Sequence, residues 1–312
     1  MTRYLITGGA GFIGSNIVAA LVAQGAAVRV ADNFSTGKRD NLKAVADKIE
    51  LFEGDLAQLD FARDAAREVD YVIHQAAIPS VPRSVADPIE TNDAGVTATL
   101  NMLVAARDAG AKRMTFASSS SIYGEAVAGA KHEGMMLDPL SPYGVSKMAA
   151  EGYCRAFHTV YGFETVCLRY FNVFGPRQDP ASEYAAVIPK FITAMLAGKS
   201  PTIFGDGEQT RDFTFVGNVV AANLHALTAS NAGGGYFNIA MGQATSLNQL
   251  VDMLNELIGA NIRANHAPPR TGDIKHSTAD VRKIREVLGY TPAVSLMDGL
   301  RQTIEWYRNS DR

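Results

Sequence analysis

The chain has 312 residues, of which 47% are hydrophobic and 20% are charged, and its formal net charge at pH 7 is -3. This much apolar material is enough for one large domain or for two closely packed domains. The slightly acidic balance lacks the basic field that attracts nucleic acid or anionic membranes. No apolar run approaches the roughly 18 residues that a membrane-spanning helix requires. We therefore expect a protein that binds neither nucleic acid nor membrane.

The N-terminus and the two cysteines favour a cytoplasmic location. Residues 4–7 run directly into a glycine-rich turn and lack the anatomy of a signal peptide. Cys154 and Cys167 fall within a predicted helix and a predicted strand, where we expect reduced, buried packing residues. Histidines and cysteines do not cluster at the spacing of metal ligands, so no metal site is predicted.

Short apolar, β-rich runs alternate with helical patterns in the first half of the chain. The predicted strands are residues 3–7, 27–31, 49–53, 71–74, 113–118 and 164–170, and the main predicted helices are 12–24, 88–109 and 143–161. This alternation predicts an α/β fold with a doubly wound parallel sheet. Ligands of such sheets bind beyond the carboxyl ends of the strands.

The pattern changes after Arg169. Loops rich in Gly, Pro and Asp (175–180, 205–212 and 268–273) are separated by short helices and isolated strands. We expect residues 1–173 to form the domain built on the sheet, with later segments near 213–242 returning to it. Residues 174–312 are then expected to form mainly a smaller α/β lobe that binds the substrate.

A glycine-rich turn joins the first predicted strand to the first predicted helix. Gly8, Gly11 and Gly14 permit a tight turn and a close approach of backbone N–H groups to a pyrophosphate. The helix that starts at Phe12 and Ile13 directs its positive N-terminal end at that charge. A glycine triplet alone is a weak signal, but its position between strand and helix predicts a dinucleotide site.

Asp32 ends the second strand, 18 residues after Gly14. A carboxylate there accepts hydrogen bonds from the adenosine ribose and repels a 2′-phosphate. Asn33 follows it where an arginine would favour the phosphate, so the sequence predicts NAD rather than NADP. Lys38 is the one nearby cation that opposes this prediction. The alternative is that Asp32 is only a solvated aspartate at a strand end.

Two further pairs follow later strands at the same edge of the predicted sheet. We expect Asp55 and Leu56 to flank the adenine after the third strand. Ala76 and Ala77 follow the fourth strand, where their small side chains would let the cofactor pass closely.

A hydroxyl, a phenol and an ammonium are predicted to converge near the fifth strand. Tyr143 and Lys147 stand four residues apart and share one helix face, and Ser119 lies at the end of the strand. Ionised Tyr143 would take the proton from a sugar hydroxyl while the carbon gives a hydride to NAD. The charges of Lys147 and oxidised nicotinamide would favour that phenolate. An isolated Y-x-x-x-K pair could equally lie on a helix surface.

Together these residues resemble the extended short-chain dehydrogenase/reductases, and the resemblance runs through the whole chain. Within that superfamily the sequence is most similar to UDP-hexose 4-epimerases, especially those acting on N-acetylated sugars. The stretches that carry the resemblance are His74-Gln-Ala-Ala77, Ser80-Val-Pro-Arg-Ser84, Pro142-Tyr-Gly-Val-Ser-Lys147, Arg169-Tyr-Phe-Asn-Val-Phe-Gly175 and Gly205-Asp-Gly-Glu-Gln-Thr-Arg-Asp212. The resemblance implies a Rossmann sheet, bound NAD, a UDP-sugar substrate, and a homodimer that pairs helices 88–109 and 143–161.

The resemblance also implies individual roles. Asn172 would hold the diphosphate or the sugar, and Arg211 and Arg270 would neutralise the diphosphate. Asp273 would bind the ribose hydroxyls. The remaining residues implied are Val187 and Phe204 beside the uracil, Ser80, Arg83, Ser119, Ser120, Ser121, Ala186 and Ser277 in the substrate site, and Tyr170 in the cofactor site. Each could instead be an ordinary surface or loop residue.

Two positions distinguish this chain from sister enzymes. At the positions of Ser120 and Ser121, related 4,6-dehydratases carry a pair of acidic residues. Related decarboxylases carry a glutamate at the second of these positions. Elimination needs that extra acid and base, so it is disfavoured here. Ser277 stands where related epimerases with a bulky tyrosine leave room only for a hydroxyl, which predicts space for an N-acetyl group. Pro79 departs from the glycine of similar sequences and is expected to reshape the loop beneath the sugar.

The reaction expected from these features is reversible C4 epimerisation of a UDP-hexose through a 4-keto intermediate. The expected substrates are UDP-N-acetylglucosamine and UDP-N-acetylgalactosamine, with UDP-glucose and UDP-galactose as further candidates. The alternatives within enzymes are a nucleotide-sugar reductase or a UDP-uronate 4-epimerase. The alternative outside enzymes is an NAD-sensing module on the same fold.

Overall fold

A computed structural model describes residues 1–125, 129–180, 187–269 and 275–310 of the chain. Its α-helices are α1 Phe12–Ala23, α2 Leu59–Ala66, α3 Val81–Ala86, α4 Pro88–Asn92, α5 Ala98–Asp108, α6 Pro142–Tyr161, α7 Val187–Leu196, α8 Val216–Thr228, α9 Leu247–Ile258, α10 Arg282–Leu288 and α11 Leu296–Ser310. Its strands are β1 Arg3–Thr7, β2 Ala27–Asp32, β3 Ile49–Glu53, β4 Tyr71–His74, β5 Arg113–Ser119, β6 Glu164–Tyr170, β7 Val173–Phe174, β8 Thr202–Phe204, β9 Thr210–Arg211, β10 Thr214–Phe215, β11 Tyr236–Ile239, β12 Thr245–Ser246, β13 Asn265–Ala267 and β14 His276–Ser277.

The main sheet has seven strands in the order β11-β6-β5-β4-β1-β2-β3, and every pairing in it is parallel. The predicted doubly wound parallel sheet is therefore confirmed. The order reverses direction at β1, which is the switch point where such sheets bind ligands. A seventh strand, β11, comes from the second half of the chain and pairs with β6, with Tyr236 opposite Cys167.

Helices cover both faces of this sheet, which is why most residues of its inner strands are buried. On one face α2, α5 and α6 bury a cluster that includes Ala62, Met102 and Cys154. On the other face α1 and α8 bury a second cluster that includes Ile17 and Val220. The sheet is therefore the middle of three layers, and its carboxyl edge is left for ligands. Both cysteines are buried and unbridged, as expected.

The helix predicted over residues 88–109 is interrupted. Between α4 and α5 the residues 93–97 form a π-helical turn. Gly95 lies there against α6, and a Cβ on it would come within 2.9 Å of Ser146 Oγ. Thr99 donates its hydroxyl to the Gly95 carbonyl at 2.6 Å. The wider turn thus accommodates a close helix crossing and a side chain that bonds back to the backbone.

The described residues of the second half of the chain form three small sheets. These sheets are β7 with β10, β8 with β13, and β9 between β12 and β14. They pack with α7, α9 and α11 around an apolar cluster that includes Phe191, Leu250 and Ile304. The stretch 205–212, predicted as a loop, contains the short strand β9 because Thr210 and Arg211 pair on both sides. None of the helices in the described ranges has the length and apolar character that crossing a bilayer requires.

Candidate active site

The glycine turn lies against the carboxyl end of β4. Gly8 has φ +64°, and a Cβ on it would lie 2.7 Å from the Ala76 nitrogen. A Cβ on Gly14 would lie 2.2 Å from the Gly8 carbonyl oxygen. Only glycine fits at either position, because any side chain would collide with backbone atoms.

The N-terminus of α1 is free to bind an anion. Its N-cap residue, Gly11, offers no side-chain hydrogen bond, and the first turn contains no acidic residue. The first backbone N–H groups of a helix have no partner within the helix, so a phosphate can accept from them. Phe12 and Ile13 in this turn are half-buried. This cradle fits the pyrophosphate of a dinucleotide.

Asp32 lies at the carboxyl end of β2 and is 8% exposed. Its carboxylate accepts hydrogen bonds from the backbone nitrogens of Ala10 and Phe34, each at 2.8 Å. These bonds fix the carboxylate beside the glycine turn, where it can accept from ribose hydroxyls. Asn33 beside it is exposed, and its side chain accepts from the Ser35 nitrogen at 3.0 Å.

The other residues predicted to contact the cofactor follow β3 and β4. Asp55 is exposed, and its carboxylate accepts from the Ala57 nitrogen at 2.9 Å. The Leu56 side chain is buried in the core, so only its backbone is available to an adenine ring. Ala76 and Ala77 are half-buried at the end of β4. All four lie at the edge of the sheet that carries Asp32.

His74 at the end of β4 is fully buried between two threonines. Its Nδ1 lies 2.7 Å from the Thr7 hydroxyl and its Nε2 lies 3.0 Å from the Thr99 hydroxyl. Because Thr99 already donates to Gly95, it can only accept from Nε2, so Nδ1 accepts from Thr7. Burial, together with the nearby charge of Lys147, lowers the pKa of His74 to about 3. A neutral imidazole therefore joins β1, β4 and α5 beneath the glycine turn.

The structure brings Ser119, Tyr143 and Lys147 together. Ser119 is buried at the end of β5, and Tyr143 and Lys147 stand one turn apart at the start of α6. Burial raises the pKa of the Tyr143 phenol, while its hydrogen bond with Ser119 lowers it. Lys147 Nζ donates to the carbonyl of Ala117 at 2.7 Å. The lysine is thus held by β5, close to the serine that contacts the phenol.

The environment of Lys147 changes its proton affinity. The side chain is 3% exposed and lies over the Phe116 ring, with Nζ 4.9 Å from the ring centroid. Burial lowers the pKa of Lys147 to about 8. A lysine in this range can exchange a proton near neutral pH, and its charged form still favours ionisation of a neighbouring phenol.

A buried polar network connects α6 to the sheet, and the sequence analysis assigns it no role. Glu151, one turn beyond Lys147, accepts from the Ser118 hydroxyl at 2.9 Å and from Arg169 Nε at 3.1 Å. Arg169 also donates to the Tyr123 hydroxyl at 2.8 Å. The network ties α6 to β5 and β6. The spacing of Tyr143, Lys147 and Glu151 on one helix face is the signal that could have identified Glu151.

A cavity of about 580 Å³ opens between β7, α7 and the small sheets of the second half. Four of the residues predicted to bind the substrate line it: Asn172, Val187, Phe204 and Arg211. The lining also includes Lys190, Phe191, Gln209 and Leu247. Lys190 was missed although it stands three residues after Val187, on the same face of α7. Apolar walls with a few polar groups are typical of sites for small organic ligands.

Asn172 and the strands β9 and β14 lie at the polar end of this cavity. Asn172 has φ +35° and donates its amide to the Asp212 carbonyl at 3.1 Å. Arg211 lies on β9, and its guanidinium donates to the Thr210 carbonyl at 2.8 Å. Ser277 on β14 is directly opposite Arg211 in the parallel register and is 8% exposed. Ser277 therefore lies next to the cavity but does not line it.

The structure does not bring every predicted residue into this cavity. Ser80 caps α3 by accepting from the Arg83 nitrogen at 3.2 Å, and Arg83 forms an ion pair with Glu90 at 2.6 Å. Tyr170 is buried, and its hydroxyl accepts from Gln75 at 3.0 Å. Ser120 and Ser121 are half-buried in the turn after β5. Ala186, Arg270 and Asp273 lie outside the described residues.

Comparison with known proteins agrees with this geometry. Residues 4–240 match the NAD dependent epimerase/dehydratase family. The chain is 39% identical to the UDP-glucose 4-epimerase of Mycolicibacterium smegmatis, covering 99% of this chain and 100% of that protein. The solved UDP-N-acetylglucosamine 4-epimerase of Methanobrevibacter ruminantium, in complex with UDP-N-acetylmuramic acid, has a TM-score of 0.94 and 39% identity over 99% of both chains. The UDP-glucose 4-epimerase of Thermotoga maritima with UDP-glucose has a TM-score of 0.93 and 38% identity over 100% of both chains.

These matches extend through the sheet, the glycine turn and the cavity. They confirm the resemblance to short-chain dehydrogenase/reductases of the UDP-hexose epimerase type. The cradle formed by Gly8 and Gly14 also fits the cofactor that the family requires. The chain therefore belongs to the NAD dependent epimerase/dehydratase family, and its cofactor is NAD.

Proposed function

We propose that this NAD-dependent nucleotide-sugar epimerase inverts C4 of a UDP-hexose, with UDP-N-acetylglucosamine and UDP-N-acetylgalactosamine as its substrates. The observation that carries the proposal is the meeting of Ser119, Tyr143 and Lys147 at the end of β5. Such a group can move a proton to and from a sugar hydroxyl. The similarity to a UDP-N-acetylglucosamine 4-epimerase supports the choice of sugar.

In this proposal Tyr143 removes the proton from the 4-hydroxyl and later returns it. Bound NAD supplies the acceptor for the C4 hydride and the positive charge that favours an ionised phenol. Ser119 donates to the reacting oxygen, and Lys147 stabilises the phenolate through its charge. The pKa of Tyr143 is raised by burial in the protein alone, so the phenolate depends on these neighbouring charges.

NAD would be held by backbone and carboxylate groups around the switch point. The N–H groups at Gly11–Phe12–Ile13 would bind the pyrophosphate, and Asp32 would accept from the adenosine ribose. We propose that residues 1–173, with 213–242, form this cofactor-binding half. Residues 174–312 would then form mainly the nucleotide-sugar half.

The cavity beside β7 and β9 would hold the UDP portion. Arg211 would neutralise the diphosphate, and Asn172 would donate to it or to the sugar. Val187 and Phe204 would border the uracil along the apolar wall. Arg270 and Asp273 are proposed for the diphosphate and the ribose on the resemblance alone. A firm grip on UDP would leave the 4-keto sugar free to turn and present its other face.

Two local features favour epimerisation of an acetylated sugar. Ser120 and Ser121 provide no carboxyl pair for elimination, so loss of water is disfavoured. Ser277 is small and lies opposite Arg211, next to the cavity. In this proposal its size allows the acetamide to be accommodated beside the diphosphate.

We also propose a homodimer built on α4 and α6. These helices and the adjoining α3 carry exposed apolar side chains, among them Val85 at 65%, Ile89 at 73% and Val145 at 47% exposure. Exposed apolar side chains gathered on neighbouring helices mark an interaction surface. Light scattering of the purified protein measures the oligomeric state, and a monomer would contradict this part of the proposal.

The experiment that tests the function uses purified protein without added NAD. It is incubated separately with UDP-N-acetylglucosamine, UDP-glucose and UDP-glucuronate, and the products are separated. We expect UDP-N-acetylgalactosamine to form until equilibrium, with no keto or unsaturated product accumulating. Conversion of UDP-glucuronate alone, or a requirement for stoichiometric reduced cofactor, would overturn the proposal.

A further inference from the structure

An ion pair connects the loop after β2 to the loop after β7. Lys38 Nζ lies 2.5 Å from Asp179 Oδ2, and the two side chains are 56% and 34% exposed. Lys38 is the cation that opposes the preference for NAD over NADP in the sequence. In the structure this cation already has an anionic partner, supplied from a distant part of the chain.

The backbone of Lys38 lies close to the Asp32 carboxylate. Its backbone nitrogen donates to the Ala10 carbonyl at 3.0 Å, and Ala10 in turn donates to Asp32. A Cβ on Gly37 would lie 3.0 Å from Asp32 Oδ1. The loop that carries Lys38 is therefore packed on the carboxylate that is proposed to accept from the adenosine ribose.

The segment that carries Asp179 is fixed on α1. The Asn16 amide donates to the Pro176 carbonyl at 3.0 Å, and Arg177 donates back to the Asn16 side chain at 3.1 Å. The Tyr307 hydroxyl donates to the Gln178 carbonyl. Asp179 is therefore presented to Lys38 by a segment that is anchored to the cofactor-binding helix and to α11.

We propose that Asp179 is a cofactor-specificity residue, because it occupies the Lys38 ammonium that would otherwise bind the 2′-phosphate of NADP. Asp32 repels that phosphate directly, and Asp179 pairs with a cation that could otherwise compensate for this repulsion. The inference rests on the proposed cofactor site at Asp32 and is independent of which sugar is the substrate.

The energetics set the size of the expected effect. An ion pair at this exposure contributes little to stability, so loss of Asp179 will not unfold the chain. A lysine released beside a 2′-phosphate gains one charge-assisted contact at the surface. We expect a rise of about 2- to 5-fold in relative affinity for NADP.

The experiment compares the wild type with Asp179→Asn, Lys38→Ala and the double variant. Each protein, as purified, is equilibrated with an equimolar mixture of NAD and NADP until the bound composition stops changing. The bound cofactors are then extracted and quantified, so the readout is a ratio and does not depend on epimerase activity. Asp40→Asn is the matched control, since it removes an equal charge from the start of the segment that follows Lys38.

We expect Asp179→Asn to raise the NADP-to-NAD ratio and the double variant to return it close to the wild-type value. Asp40→Asn should leave the ratio unchanged. If the double variant keeps the raised ratio, the gain comes from removing a negative charge alone and the proposal is wrong. An unchanged ratio in Asp179→Asn, or an equal rise in Asp40→Asn, would also overturn it.

Discussion

Glu151 of α6 and Arg169 of β6 form an ion pair, with side-chain exposures of 8% and 2%. Glu151 also accepts from Ser118, the residue before Ser119, for which we propose a catalytic role. Because α6 carries Tyr143 and Lys147, this pair joins the helix of the proposed catalytic residues to β5 and β6. Because both charged side chains are buried, the cost of removing each from water is offset mainly by its attraction to the other.

Breaking this pair should destabilise the protein strongly. Arg169→Leu leaves the Glu151 carboxylate buried without its cation, which costs on the order of 3–5 kcal/mol in the free energy of unfolding. Arg301→Leu is the matched control, because Arg301 pairs with Asp298 at 59% and 55% exposure and should cost less than about 1 kcal/mol. Urea unfolding measures both. If both variants lose a similarly small free energy of unfolding, the buried pair contributes no more to stability than the exposed pair.

Tyr143→Phe should remove catalysis while leaving the fold and the cofactor in place. The phenol is the proposed proton carrier, and loss of a general acid or base lowers turnover by about 10²–10⁴-fold. Tyr153→Phe, on an exposed face of the same helix, should change little. Turnover and retained NAD are measured on both proteins. Near-normal turnover in Tyr143→Phe would exclude the phenol from the mechanism.

Ser277→Tyr should select between substrates. A bulky ring beside Arg211 would fill the space proposed for the acetamide, and overpacking costs about 1–3 kcal/mol. We expect activity on UDP-N-acetylglucosamine to fall while activity on UDP-glucose is retained. Ser277→Ala keeps the wall small and should preserve both activities. Equal losses on the two sugars in Ser277→Tyr would mean that this residue does not set the size of the sugar pocket.

The elements that sequence analysis predicted best are those whose signal is local. Six strands of the main sheet were predicted because each belongs to the regular alternation of strands and helices, whereas β11 lies within the irregular half of the chain. The π-helical turn at 93–97 was not predicted. Gly95 in this turn approaches Ser146 of another helix, and such a tertiary contact cannot be inferred from one segment.

The site divides in the same way. The glycine turn and Asp32 are specified by spacing along one β-α-β unit, and the structure brings them together. The resemblance implies a place near the substrate for Arg83, and the sequence did not predict its ion pair with Glu90, seven residues away across a helix boundary. Lys38 was identified as a cation near the cofactor, whereas its partner Asp179 is 141 positions away and could not be inferred from the sequence.

His74 should make the free energy of unfolding depend on pH in acid. The pKa of His74 is lowered from 6.5 to about 3 in the folded protein, chiefly by burial. Well above pH 6.5 the ring is neutral in both states and has no effect on the pH dependence. As the pH falls from 6.5 towards 3, His74 binds a proton in the unfolded chain but stays neutral in the folded protein. The free energy of unfolding should therefore fall by up to about 1.4 kcal/mol per pH unit from this group alone.

The contribution of His74 can be separated from that of the other titrating groups by comparing variants. His74→Asn lowers stability at pH 7, because the bonds to Thr7 and Thr99 are disturbed, but it removes the titrating ring. Its unfolding free energy should fall less steeply between pH 6.5 and 4.5 than that of the wild type. His132→Asn, at an exposed position, should keep the wild-type slope. Parallel slopes for the wild type and His74→Asn would mean that the buried imidazole is protonated in the folded protein, and that its link between β1 and α5 is not a neutral one.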